Sequence, residues 1–284
     1  MIAVTGATGE VGGRVARRLA ERGAAQRLIV RDPARAPELP GAEVAVAAGY
    51  SDTENLRAAL AGADALFMVS GREQLGRVAE HAACVDAAVA AGVGRIVYLS
   101  FIDCAPDSTF TFARDHFHTE EHIRAAGIPF TFLRDNLYLD FIPFFCGDDG
   151  VIRGPAGDGR AGFVARADIA DAAAAVLTGE GHEGRTYDIT GPEAICMARA
   201  AELLSAATGR EIRYHDETMD EARASRAPSG EPDWVIEGWV TTYAAVAAGE
   251  LDVVSGDVER LAGHPPYSVE RWLREHPDSY AHLA

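Results

Sequence analysis

Apolar residues alternate between two periods along the first half of the chain. Ile2 to Thr5 is a short β-branched run closed by Gly6, and Val11 to Arg22 then carries Val11, Val15 and Leu19 at helical spacing with arginines opposite. Strand-like runs return at Leu28 to Val30, Glu43 to Ala47, Ala65 to Val69, Arg95 to Leu99 and Pro129 to Leu133. Helical runs separate them at Asn55 to Leu60, Val78 to Ala91 and Phe112 to Ala126, the last ended by Gly127 where a C-terminal cap belongs. Six strands alternating with helices predict an α/β fold, a Rossmann-type doubly wound parallel sheet.

After Asn136 the rhythm changes. Phe141 to Gly162 has no clean period, Arg166 to Leu177 and Ala194 to Thr208 read as helices, and Thr186 to Ile189 and Glu211 to Tyr214 as short strands. The remainder reads as mainly helical, with Arg223 to Pro232 a loop. The expected division is a nucleotide-binding domain over 1–136 and, over 137–284, a mainly α-helical substrate lobe with short strands, partly interleaved with the sheet.

The turn after the first strand reads Gly6-Ala7-Thr8-Gly9-Glu10-Val11-Gly12. Strand, glycine turn and amphipathic helix come in the order of a dinucleotide fingerprint. Gly6 makes the turn, Gly9 admits a pyrophosphate to the backbone, and Gly12 lets helix and strand pack closely. The second strand ends in Arg31, followed by Asp32 and Arg35. An acidic residue there would hold the ribose hydroxyls of NAD, whereas a guanidinium suits a 2′-phosphate, so Arg31 favours NADP(H) and Asp32 keeps the NAD alternative open.

The net charge of −17 disfavours nucleic acid and anionic membrane surfaces. No run is long and apolar enough for a membrane span, and no leader is evident, so a cytoplasmic location is expected. Four scattered cysteines lack metal or redox spacing. No metal site is expected: His118-Thr119-Glu120-Glu121-His122 lacks the zinc-protease order and reads as the polar face of its helix.

Thr5-Gly6-Ala7-Thr8-Gly9, Val30-Arg31-Asp32-Pro33, Tyr98-Leu99-Ser100 and Phe132-Leu133-Arg134-Asp135-Asn136 together resemble the atypical short-chain dehydrogenases. The nearest group is the NmrA-like branch with its NADPH-dependent quinone reductases of the second type. Arg166-Ala167-Asp168-Ile169-Ala170 and Tyr187-Asp188-Ile189-Thr190-Gly191 extend the match. The resemblance implies that Gly6, Thr8, Gly9, Glu10 and Val11 line the pyrophosphate and that Arg31 meets the 2′-phosphate. It places Val69, Ser70 and Gly71 along the ribose and phosphates, and Ser100, Asn136 and Leu137 near the nicotinamide. Gly49, before Tyr50-Ser51-Asp52, departs from the acidic residue common in related sequences.

Standard short-chain dehydrogenases use a Tyr-x-x-x-Lys pair, the tyrosine moving the proton and the lysine lowering its pKa. Here that helix reads Phe112-Ala113-Arg114-Asp115-His116, and all 26 Lys/Arg residues are arginine. Ordinary alcohol–ketone chemistry by that pair is excluded. His116, at the lysine-equivalent position, is expected to bond a ribose hydroxyl or relay a proton, the plainer alternative being a solvated helix histidine. Reduction of a quinone tolerates the loss, because a hydroquinone anion can take its proton from water. Tyr138 is the nearest phenol that could donate one, and Tyr138 to Phe145 would form an apolar wall for a flat small-molecule substrate, with Trp234 and Trp239 closing it. The expected function is NADPH-dependent hydride transfer to a quinone or similar conjugated carbonyl. The alternative is an NADP(H)-sensing regulator without catalysis.

Overall fold

The structure, a computed structural model, describes residues 1–283. The first half runs β1 (Ile2–Thr5), α1 (Glu10–Glu21), β2 (Gln26–Val30), β3 (Ala42–Val46), α2 (Thr53–Leu60), β4 (Ala65–Val69), α3 (Arg77–Ala90), β5 (Arg95–Phe101), α4 (Thr111–Ala125) and β6 (Phe130–Asp135). The second half runs β7 (Val151–Gly154), β8 (Arg160–Ala161), α5 (Arg166–Thr178), β9 (Arg185–Ile189), β10 (Ile195–Cys196), α6 (Met197–Thr208), β11 (Arg213–Asp216), α7 (Met219–Arg226), α8 (Asp233–Ala247), α9 (Asp257–Ala262) and α10 (Val269–Glu275). A 3₁₀ turn spans Leu139–Phe145.

The central sheet has seven parallel strands in the order β3-β2-β1-β4-β5-β6-β9. Side chains alternate across it. Val4, Leu28, Phe67, Val97 and Leu133 pack under α1 and α5 with Val15, Leu19, Ile169 and Val176. Ala3, Ile29, Leu66, Met68, Ile96, Tyr98 and Phe132 pack under α2, α3 and α4 with Leu56, Val85, Ala88 and Ile123. Both faces are covered, which is why these strands are nearly all apolar.

The interleaving with the sheet takes a definite form, and one expectation changes. Thr186 to Ile189 lies in β9, the seventh strand of the main sheet, with Leu133 opposite Tyr187. Together with α5, which packs beside α1, it returns the chain to the sheet, so a boundary at residue 136 divides the molecule only in part. Arg223 to Pro232 is not a loop throughout. Thr218 and Glu221 form a capping box that starts α7, and Arg223 bonds the Glu237 carboxylate of α8, so the helix runs on to Arg226.

The lobe has its own core, in which Ile152, Phe163, Met197, Leu204, Tyr243, Val246 and Trp272 meet Phe101, Phe110 and Ala113. Two small sheets, β8–β10 and β7–β11, brace it. No helix is long and apolar enough to cross a membrane among the described residues.

Candidate active site

Strand order reverses between β1 and β4, and the crevice outside the carboxyl ends at such a point is the usual ligand position in an open α/β sheet. A cleft of about 390 Å³ lies there, lined by Gly6, Thr8, Gly9, Arg31, Val69, Ser70 and Gly71 among others. Gly6 takes φ +64°, a conformation that favours glycine. A Cβ on Gly12 would stand 2.4 Å from the Gly6 carbonyl oxygen and 2.8 Å from that of Thr5, so α1 reaches β1 only because position 12 is bare. Gly9 caps α1 with extended backbone and no side-chain hydrogen bond. The first N–H groups of the helix therefore have no side-chain cap, which suits a pyrophosphate. The Glu10 carboxylate pairs with Arg14, which holds it below the usual range, and the Val11 side chain is buried in the core, so only their backbone N–H groups are left for a pyrophosphate.

A side pocket of about 280 Å³ joins Thr8, Arg31, Asp32 and Arg35. Asp32 Oδ1 accepts the Ala34 N–H at 3.0 Å, so one of its two oxygens is tied to its own turn. Arg31 and Arg35 are exposed beside it. A 2′-phosphate fits this donor set, and the bare glycine turn fits a pyrophosphate.

Several residues that shape the cleft escaped the sequence reading. The Tyr50 hydroxyl bridges the Thr5 hydroxyl, at 2.8 Å, and the Val69 carbonyl, tying β1 to β4 at the cleft floor. Gly71 is gripped at both polar groups by α3: its N–H donates to His81 Nε2 at 2.8 Å, and its carbonyl accepts from Arg77 Nε at 2.9 Å. Because Nε2 accepts, Nδ1 carries the hydrogen and donates to the Thr119 hydroxyl at 2.8 Å, which donates in turn to the Asp115 carbonyl at 2.7 Å. Burial and then Arg77 push His81 down to about 3, so it stays neutral in this chain of bonds. The available signal was a charged Arg77 and a His81 one turn apart on the stripe that also buries Cys84, Val85 and Ala88.

His116 is 6% exposed, so it is not the solvated histidine of the plainer alternative. Its Nε2 accepts from Arg77 Nη2 at 3.2 Å, which leaves Nδ1 to donate to the Tyr98 oxygen at 3.0 Å. Burial pushes its pKa well down, with Arg77 and His81 adding to the effect. Both ring nitrogens thus serve protein groups behind the Gly71 turn. Phe112 sits edge-on to Phe110 and Trp234, and a Cβ on Gly238 would stand 2.4 Å from its ring, so the tyrosine-equivalent position is a packing contact between α4 and α8. Within the expected polar stretch, Thr119 and Glu120 are buried. Glu120 accepts Arg134 through both oxygens at 2.8 and 2.6 Å, and takes the Ser100 hydroxyl at 2.7 Å, so Ser100 is turned inward.

Beyond β6 the Asn136 side chain donates to the Leu251 carbonyl at 3.0 Å and accepts the Leu137 N–H at 2.8 Å, fastening the sheet edge to the lobe. Tyr138 donates to Asp135 Oδ2 at 2.6 Å. Burial pushes Asp135 up to about 8, and the phenol well up too, so at neutral pH both carry protons. The Arg166 guanidinium stacks over Tyr138 at 5.1 Å and Phe141 at 4.2 Å. Phe141 also opens a second cleft, about 570 Å³, lined by Phe144, Phe145, Trp239, Tyr243, Arg153 and Arg226 among others. Asp149 and Glu217 neutralise those two arginines, so the cleft is aromatic rather than cationic. Trp239 lines it, whereas Trp234 turns to Phe112.

An NAD(P)H-binding family model matches residues 6–180, more than half of the chain. Quinone oxidoreductase 2 of Escherichia coli is 34% identical, covering 93% of this chain and 94% of its own. Its crystal structure with NADPH superposes with a TM-score of 0.90 over 97% of this chain and 99% of that one, at 32% identity. A (4-alkanoyl-5-oxo-2,5-dihydrofuran-3-yl)methyl phosphate reductase of Streptomyces griseus is 35% identical over 99% of both chains. The Citrobacter sp. triphenylmethane reductase complexed with NADP(H) gives a TM-score of 0.87 at 32% identity, over 97% of this chain and 99% of that one. The chain therefore belongs to the NAD(P)H-binding, NmrA-like oxidoreductases that include quinone oxidoreductase 2.

Proposed function

We propose that this protein uses NADPH to reduce a quinone or a similar flat, conjugated carbonyl compound without a Tyr–Lys pair. The observation that carries this reading is what fills the place of that pair: Phe112 is packed against α8, and His116 is buried with both nitrogens engaged. When bound, NADPH supplies a hydride. Gly6, Thr8 and Gly9 would hold its pyrophosphate, and Arg31 with Arg35 its 2′-phosphate. Ser70, Gly71, Asn136 and Leu137 would border its nicotinamide end. His116 acts here as a positioning residue, through Arg77 on the Gly71 carbonyl.

Two relatives are named for a quinone and an alkanoyl dihydrofuranone, both conjugated, electron-poor acceptors, and the triphenylmethane reductase is described with triphenylmethane dyes. Such acceptors need orientation more than a strong acid. Phe141, stacked on Tyr138 with ring centroids 5.9 Å apart, leads from the sheet edge into the aromatic cleft that would seat a flat ring. Tyr138 would be the proton donor in this reading, with protonated Asp135 behind it to replace the proton lost.

The test is NADPH consumption with quinones, an activated enone and a cationic dye. Turnover of at least one quinone is expected, with NADH a poorer donor. NADPH binding with no turnover across the panel overturns the reading and leaves the NADP(H)-sensing regulator.

A further inference from the structure

Away from both clefts, α5 and the turn between α9 and α10 bring three ligand-type side chains together. One polar atom from each of Asp168, Asp171 and His264 lies within 4.8 Å of the others. What distinguishes the cluster is its donors and acceptors. Asp168 is fully buried; its Oδ2 accepts the Tyr267 N–H at 2.8 Å, and its Oδ1 has no partner. His264 Nδ1 lies 3.1 Å from the Pro265 carbonyl, which can only accept, so Nδ1 carries a hydrogen. In the neutral ring Nε2 is then an acceptor, and it stands 3.4 Å from Asp171 Oδ2, another acceptor. The neighbouring cations leave Asp168 Oδ1 and Asp171 Oδ2 without a hydrogen bond. Arg18 meets Asp171 at its other oxygen, Oδ1, and Arg271 bonds Glu275 while stacking on Tyr267.

We propose that Asp168, Asp171 and His264 form a binding site for a divalent zinc-class ion. An ion is the partner that converging acceptors lack, and an imidazole among the carboxylates favours zinc over magnesium or calcium, which prefer oxygen alone. The outer contacts are those ligating groups take: His264 gives its far N–H to a carbonyl, and Asp171 is held by Arg18. Three protein ligands leave a fourth position for water. None of the three lines the cofactor cleft or the aromatic cleft, so the ion's role is to pin the turn before α10 onto α5. No spacing in the sequence announces this site, because Asp168 and His264 are brought together only by the fold.

The experiment is equilibrium dialysis of the chelator-treated full chain against zinc, with thermal unfolding alongside. One zinc per chain is expected, with a higher melting temperature in zinc and no rise in magnesium. His264→Gln should weaken zinc binding at least tenfold and abolish the rise, while NADPH binding persists and shows that the variant is folded. Asp171→Asn, also at an accessible position, gives a second variant with the same expectation. No zinc binding, binding unchanged in both variants, or an equal response to magnesium overturns the proposal.

Discussion

The two clefts are built by different means. The one over β1 and β4 is made largely of main chain and small residues: Gly6, Thr8, Gly9, Ser70 and Gly71. The other is made of large side chains, Phe141, Phe144, Phe145, Trp239 and Tyr243, from the turn after β6 and from α8. A site made of backbone fixes which residue types are possible, whereas a site made of rings allows one ring to replace another. The relatives fit that division, since they share the fold at TM-scores of 0.87 to 0.90 and differ in the acceptor they are named for.

The largest effect should come from breaking the backbone-built side. Gly12→Ala puts a methyl 2.4 Å from the Gly6 carbonyl oxygen, and no flexible side chain is there to yield. Either α1 lifts from β1 or the turn deforms. Overpacking of this kind destabilises by about 1–3 kcal/mol or more. NADPH affinity, read by fluorescence titration, should fall roughly 100-fold, equivalent to about 2.7 kcal/mol. An unchanged affinity would break the contrast between the two clefts.

Arg31→Ala should come next. Charge-assisted hydrogen bonds to a phosphate contribute about 1.5–3 kcal/mol, so the NADPH-to-NADH preference in kcat/KM should fall roughly 10- to 100-fold. NADH itself should be little affected, because it has no group for Arg31 to meet. Trp239→Ala, on the ring-built side, should leave NADPH affinity unchanged and raise the quinone KM about 10-fold, or 1.4 kcal/mol. If quinone KM does not move while Gly12→Ala destroys NADPH binding, the aromatic cleft is not the substrate site.

The same contrast explains what could be read from the chain. Gly6 and Gly12 are legible because a positive φ and a missing Cβ belong to the residue type itself. Arg31 is legible because it directly follows β2, a strand whose position in the sheet the pattern fixes. Gly71 was legible, but its holders were not: Arg77 and His81 lie on a helix stripe that otherwise reads as core, and only their approach to Gly71 shows their purpose. His116 was expected at a ribose or in solvent, and Arg77 from α3 draws it inside. The placement of β9 beside β6 follows a long excursion through the lobe, and a five-residue strand carries no mark of which sheet it will join. The aromatic cleft draws on residues from 141 to 243, so no local spacing announces it.

The smallest expected effect is the most informative about chemistry. Tyr138 donates to Asp135, and burial holds that carboxyl at about 8 instead of 3.8. An obligatory general acid contributes about 10²- to 10⁴-fold. Tyr138→Phe should instead lower quinone turnover less than about 10-fold, because the reduced product can take its proton from water. A larger loss would make Tyr138 an essential acid and bring this protein closer to the standard dehydrogenase reaction. Asp135 can be tested independently through stability. Between pH 3.8 and about 8 the folded chain keeps a proton that the unfolded chain releases, so this group's contribution to stability falls as pH rises and levels off above about 8. Asp135→Asn, which cannot ionise, should flatten that part of the pH–stability curve measured by urea unfolding. If the slope persists, Asp135 is already ionised at neutral pH, and Tyr138 has no protonated partner behind it.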